Sequence, residues 1–392
     1  MVKKYRICVI TGTRAEYGLL RRCLFLLQNH PNVDMMLVVT GTHLIETFGN
    51  TQQEIRDDGF SYVSIPIPME DDSKAGMAIS AGVAMQRFAE LFQEDRPDLI
   101  LILGDRFEIF SAASAAHLMG IPIAHISGGD VTEGAIDDAV RHSITKMSTL
   151  HFPGCEQSAK RIIQMGEQPD MVFNVGDPGV ENCLCMKKMP RKELAENLGF
   201  SQIMGDYNVV TFHPVTMESD TAEKQVRELI CAMDAEDRMA YIVTLSNADA
   251  GGRRINEIWR TEEKSHPNWL VISSLGVLRY LSAVQYAKLV IGNSSSGIYE
   301  APALGTPTIN IGDRQKGRMM ADSVLTVSPE ASAICEAMHR AMGPGFREIV
   351  RKAHSPFGNG TTSEQIVRIV LKYLDGDHTH MQKSFYDIDF TL

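Results

Sequence analysis

The chain has 392 residues, 44% of them hydrophobic and 22% charged. At roughly 100–200 residues per domain that is two domains, each able to bury a core without disulfide staples. Its 38 Lys and Arg against 49 Asp and Glu leave a net charge of −11, which excludes general affinity for nucleic acid or an anionic membrane. Any anionic ligand must be held by a local cluster of cations and backbone amides.

The seven cysteines are scattered, and only Cys183 and Cys185 lie close, so neither a disulfide framework nor a zinc site is read. The apolar run after Met1 is too short for a signal peptide, and no stretch reaches the roughly 18–20 apolar residues of a spanning helix. A soluble, cytoplasmic protein is expected.

In chain order, strands are read at Tyr5–Thr11, Met35–Thr40, Leu99–Leu103 and Pro122–Ile126, with helices at Ala15–Gln28, Ser80–Gln93 and Glu108–Leu118 between them. The second half repeats the alternation. Strands are read at Tyr207–Phe212, Ala240–Leu245, Trp269–Ile272, Lys288–Ile291 and Thr308–Ile311, with helices at Thr221–Met233, Val277–Val284 and Ser296–Leu304. Continuous rather than alternating apolar runs fit parallel strands buried on both faces. The fold expected is α/β, two doubly wound Rossmann-like domains facing across a cleft. LILGDR at Leu101–Arg106 and INIGDR at Ile309–Arg314 form a weak internal echo. The expected domains are residues 1–180 and 205–361, with a seam near 177–206. Residues 362–392 hold a final helix, read over Thr362–Leu374, and a loosely ordered tail from Asp375.

Ligands of such sheets bind beyond the carboxyl ends of the strands, so those positions are the ones to read. After the first strand, TGTRAEYG lacks a G-x-G-x-x-G, and no phosphate-binding G-x-x-x-x-G-K follows any strand. NAD-dependent chemistry and P-loop ATP hydrolysis are thereby disfavoured. Arg14, at a helix start, suits a phosphate oxygen, or is a solvated surface cation. Asp105 and Arg106 follow a wholly apolar strand, where they either meet a ligand or pair with each other.

Asp130, Glu133, Asp137 and Asp138 put four carboxylates within nine residues, beside glycines 128, 129 and 134. Mutual repulsion among them can bring one toward general acid–base work. On a helix, Asp137 with Arg141 and Asp138 with His142 are i,i+4 pairs. His213 and Asn247 stand at later strand ends. GNSSSG at residues 292–297 offers hydroxyls and amides to a phosphate, and Glu300 lies one turn on, where it can hold a ribose diol. Arg14, Arg106, Arg314, Lys316 and Arg318 together could make a positive pocket in an acidic protein.

TGTRAEYG, VTGTHLIETFGNT, LGDRFE, HISGGDVTEGAIDDAVRHSITKMS, HPVT, SNADAGG, GNSSSGIYEAP and INIGDRQKGR occur in this order across positions 11 to 318. Together they resemble the hydrolysing UDP-N-acetylglucosamine 2-epimerases of sialic and legionaminic acid synthesis. The resemblance implies a glycosyltransferase-B-like fold whose last helix crosses back to the first domain. It implies conversion of UDP-N-acetylglucosamine and water to UDP and N-acetylmannosamine, with UDP-2,4-diacetamido-2,4,6-trideoxyglucose as the alternative substrate. A glycosyltransferase or a non-hydrolysing epimerase is the competing class.

By position, it implies that Arg14, Arg106, Asn247, Ser294, Ser295, Glu300 and Arg314 bind the nucleotide and diphosphate, and that His43 lies on the sugar side. Asp105, Asp137 and His213 take catalytic places, and because Ser127 stands where relatives often carry glutamate, that carboxylate role passes to Asp130 or Glu133, or the substrate differs; the sugar-side set read is Asp105, Asp137 and Asp130. No cofactor or metal, no nucleic acid and no membrane partner is expected, only a UDP-sugar and a homo-oligomer, dimer or tetramer.

Overall fold

A computed structural model describes residues 4–45, 51–69, 71, 73–131, 136–214, 222–236, 238–246, 252–376 and 383–389. The chain forms two compact units, Met1–Asn182 with Gly360–Leu392, and Cys183–Asn359. The N-terminal unit carries β1 (Tyr5–Thr11), β2 (Val33–Thr40), β3 (Val63–Ile65), β4 (Leu99–Leu103), β5 (Ile123–Ile126) and β6 (Leu150–Phe152). The C-terminal unit carries β7 (Tyr207–Thr211), β8 (Ala240–Thr244), β9 (Trp269–Ile272), β10 (Val290–Gly292), β11 (Thr308–Ile311) and β12 (Val324–Val327).

Each unit is a six-stranded sheet, ordered β3-β2-β1-β4-β5-β6 in one and β12-β11-β10-β7-β8-β9 in the other. Every pairing in both is parallel. Read from its central strand, each follows the same doubly wound order. Each reverses once, between β1 and β4 and between β7 and β10. The echo at Leu101–Arg106 and Ile309–Arg314 does not mark equivalent places: the first closes β4, beside the central strand, and the second closes β11, one strand farther out. It is a coincidence of letters.

Helices cover both faces. In the N-terminal unit one face packs Val9, Leu101, Leu20 and Leu24, and the other Ile10, Ile102, Phe88 and Phe92. Each fully buried side chain of this size stabilises the unit by roughly 1.5–3 kcal/mol. The helix Thr362–Asp375 belongs to this unit, adding Ile366, Val367, Val370 and Tyr373 to the first core. It is tied at its start by Thr362 Oγ1 donating to the Val175 carbonyl, 3.0 Å.

The segment after it is not a loose tail where the structure describes it. Lys383 donates to the carbonyls of Lys146 and Ser148, both 2.7 Å, and pairs with Glu167. The amide of Tyr386 donates to the Gly166 carbonyl, 2.9 Å. Among the described residues no helix is long and apolar enough to cross a membrane.

The helix read over Ser296–Leu304 is broken into a 3-10 turn, Ser295–Gly297, and a short helix, Glu300–Ala303. Pro302 has no N–H to donate to the carbonyl of Ile298, which ends any continuous ladder there. Just before it, Gly292 holds φ of 136°, and a Cβ at that position would stand 1.9 Å from the Thr211 carbonyl oxygen. Gly292→Ala is expected to destabilise the C-terminal unit by about 3 kcal/mol or more, from strain plus backbone overlap. Urea unfolding with an unchanged midpoint would refute this.

Candidate active site

The residues that end β4 and β5 meet around one buried cation. Arg141, on the helix Ile136–Met147, is 7% exposed. It pairs with Asp105, donates to the Asp130 carbonyl at 2.9 Å and lies 3.5 Å from Asp138. Asp105 and Arg106 therefore do not close on each other, and Arg141 is drawn inward rather than lying along the helix surface. His142 does sit beside Asp138, at 3.7 Å. One guanidinium nitrogen of Arg141 thus holds the Asp105 carboxylate and the other the Asp130 backbone, bridging the two strand ends by charge-assisted bonds.

Asp130 is held from a second side, its Oδ1 accepting from Ser158 Oγ at 2.5 Å. Asp137 is exposed on the first turn of the same helix as Arg141, and its charge reaches the Arg106 guanidinium. Glu133 lies outside the described residues. Ser127 has φ of 62°, the single non-glycine residue in the left-handed region among the described residues. Such a conformation costs on the order of 1 kcal/mol and is characteristic of functional loops. Beneath these turns, His125 is fully buried, Nε2 bonded to the Gly104 carbonyl at 2.8 Å and Nδ1 to Thr145 Oγ1 at 3.3 Å. Burial pushes its pKa down to about 3, so it stays neutral and ties β4, β5 and the helix together.

His43 is also fully buried, with Thr11 Oγ1 3.1 Å from Nε2 and Thr51 Oγ1 2.7 Å from Nδ1. Burial lowers its pKa to about 4. It is a neutral brace linking the turns after β1 and β2. Arg14 opens the helix Arg14–Gln28 behind the Thr13 cap, exposed and 3.1 Å from Glu54. Arg106 donates from Nε to Glu108 Oε1 at 2.6 Å.

In the C-terminal unit Asn293 organises the strand ends. Its side chain accepts from the His213 amide at 2.7 Å and donates to the His213 carbonyl at 2.8 Å. His213 Nδ1 lies 3.3 Å from Ser246 Oγ, which ties in the end of β8. The Asn293 carbonyl accepts from Arg314 at 3.0 Å and from Gln315 at 2.8 Å. Ser294 caps the 3-10 turn by accepting from the Ser296 amide, so one of the three serines does plain capping work. Ser295 is exposed, Glu300 half-buried, and Lys316 exposed. Arg318 lies over the Tyr299 ring at 5.8 Å. Asn247 lies outside the described residues.

Arg141, Asn293, Glu16 and Glu108 were not singled out from the sequence as site residues. The available signals were positional: Glu108 closes GDRFE, and Asn293 opens the serine run.

Residues 26–371 match the family model described as UDP-N-acetylglucosamine 2-epimerase. The chain is 36% identical, over 99% of its length and 100% of the relative's, to the GDP/UDP-N,N'-diacetylbacillosamine 2-epimerase (hydrolyzing) of Campylobacter jejuni. It is 37% identical, over 98% of its length and 97% of the relative's, to polysialic acid biosynthesis protein P7 of Escherichia coli. The fold matches a crystal structure from Listeria monocytogenes titled as a putative UDP-N-acetylglucosamine 2-epimerase, at TM-score 0.78 and 16% identity, over 98% of this chain and 100% of that one.

Proposed function

Because the chain belongs to the UDP-N-acetylglucosamine 2-epimerase family and is a hydrolysing UDP-sugar 2-epimerase, we propose that its substrate is UDP-2,4-diacetamido-2,4,6-trideoxyglucose. The observation that carries this substrate is the Campylobacter relative, similar end to end, whose name is that of the hydrolysing enzyme for N,N'-diacetylbacillosamine.

The chemistry sets the residue roles. The sugar C2–H is barely acidic, because no carbonyl adjoins it in the ring. Cleavage of the anomeric C–O bond therefore leads, building positive charge on the sugar and negative charge on UDP. Asp105 and Asp130, held by Arg141 and Ser158, stabilise the sugar cation as glycosidase carboxylates do. Asp137 takes the C2 proton, leaving a 2-acetamidoglucal, and water then adds so that C2 is inverted. Arg14, Arg106, Arg314 and the amides around Ser294 and Ser295 bear the departing diphosphate, with Asn247 and Glu300 on the nucleoside. His213 serves as acid–base group or phosphate ligand. His43 acts at a distance, by bracing the turns after β1 and β2.

A second reading, UDP-N-acetylglucosamine going to N-acetylmannosamine, is favoured by the family's description and by the Escherichia coli relative named for polysialic acid synthesis. Proton NMR of the enzyme with each UDP-sugar separates the two. The diacetamido substrate is expected to be consumed at least about tenfold more efficiently, freeing the manno epimer. Preference for UDP-N-acetylglucosamine would establish the second reading, and no UDP release from either would overturn both.

A further inference from the structure

Two carboxylates lie beneath the turns after β1 and β2 with no part in the steps above. Glu16 is 6% exposed, and its Oε2 accepts from the Gly12 amide at 2.7 Å. Glu108 is fully buried, and its Oε1 accepts from Arg106 Nε at 2.6 Å. The same Nε lies 4.0 Å from Glu16 Oε1, so the two carboxylates are no farther apart than those two distances together. A Cβ at Gly12 would stand 2.6 Å from Glu108 Oε1, and one at Gly41 3.0 Å. The turns thus close directly on this group. The remaining oxygens, Glu16 Oε1 and Glu108 Oε2, are buried and accept no hydrogen bond.

One guanidinium cannot balance two buried carboxylates. The excess negative charge is removed most cheaply by a single proton, as in other crowded acid pairs. We propose that Glu16 and Glu108 form a crowded acid pair that keeps one proton, which positions Arg106 and governs how tightly it holds the substrate diphosphate. The proposal rests on the diphosphate role given to Arg106 above.

The charged groups facing Glu16 are Glu108 and Arg106, and Arg106 in turn faces Asp137. Burial, then the Glu108 charge, pushes the Glu16 pKa from 4.5 up to about 8. Below that pH the pair and Arg106 together are neutral. Above it they carry one negative charge beside the bound phosphates, which are already ionised, their own last pKa being about 6. Affinity for the diphosphate must therefore fall as pH rises through about 8. The folded state also binds more protons than the unfolded chain between pH 4.5 and about 8, so stability falls with rising pH across that window.

Glu16→Gln, the isostere of the protonated acid, tests both consequences. Without ligand, the unfolding midpoint of E16Q is expected to rise relative to wild type by roughly 3 °C or more between pH 5 and pH 8, then to track it. Parallel curves would overturn the retained proton. With UDP as probe, calorimetry at pH 7 and pH 9 is expected to show wild type weakening about five- to tenfold and E16Q less than about twofold. Equal weakening would overturn the link to Arg106. Glu108→Gln, which removes the carboxylate on Arg106, is expected to weaken UDP about tenfold at pH 7 through loss of that contact, and undiminished affinity there would also overturn the link. If no variant and not wild type bound UDP while the midpoints diverged, the acid pair would stand and the proposed function would fall.

Discussion

Arg141→Met is expected to lower turnover by roughly a hundred- to thousandfold and to cost about 3 kcal/mol in stability. Arg141 is the buried cation that fixes the Asp105 carboxylate and the backbone of Asp130. Methionine fills much of the same volume but leaves a partly buried carboxylate without its counter-charge, and lets the two strand ends drift apart. Arg141→Lys keeps the charge but loses the planar fork, so it is expected to recover stability better than turnover. UDP affinity, assigned to other residues, should change less than about threefold, because the effect falls on positioning of the sugar. Steady-state kinetics beside calorimetry decides the matter. Turnover within about threefold of wild type would show that Asp105 and Asp130 need no such anchor.

Asp137→Asn is expected to reduce UDP release by about a thousandfold while UDP itself binds within about threefold of wild type. The substitution is isosteric, on an exposed position at a helix start, so the fold should survive it. What it removes is the base for the C2 proton. Single-turnover measurement of UDP formation isolates that step from product release. Retained turnover would take Asp137 out of the reaction and leave Asp130 or Glu133 as the candidate base.

The double winding was legible because parallel strands buried on both faces read as unbroken apolar runs. LILIL at β4 and YNVVT at β7 are buried at every position. Of the edge strands, β9 was read at its observed bounds, but β3, β6 and β12 were not. Val63–Ile65 and Val324–Val327 are three and four residues long and partly exposed, so neither length nor pattern sets them apart from loop. The broken helix after Ser294 was recoverable from Pro302, which the apolar spacing around it obscured.

Rules about strand ends pointed to Asp105, Arg106, Asp130 and Ser294 as candidates, and the resemblance added His213, but neither could supply partners. Arg141 reaches a residue 36 positions away, and Asn293 one 80 positions away. Such pairings exist only once the strands are ordered. The resemblance places His43 on the sugar side, and the structure shows it buried between two threonines, a packing that the letters do not disclose. The buried acids Glu16 and Glu108 were hidden for a related reason. Nothing in the letters TGTRAEYG and GDRFE says that both carboxylates turn inward onto one guanidinium.

The central claim, elimination of UDP across C1–C2 followed by addition of water, its oxygen to C1 and a proton to C2, is tested most directly by running the reaction to completion in D2O. Proton NMR and mass spectrometry of the freed sugar then report its configuration and isotope content. The account predicts a manno-configured amino sugar with one deuterium at C2, alongside free UDP. A product that keeps its C2 protium, or one released in the gluco configuration, would contradict it.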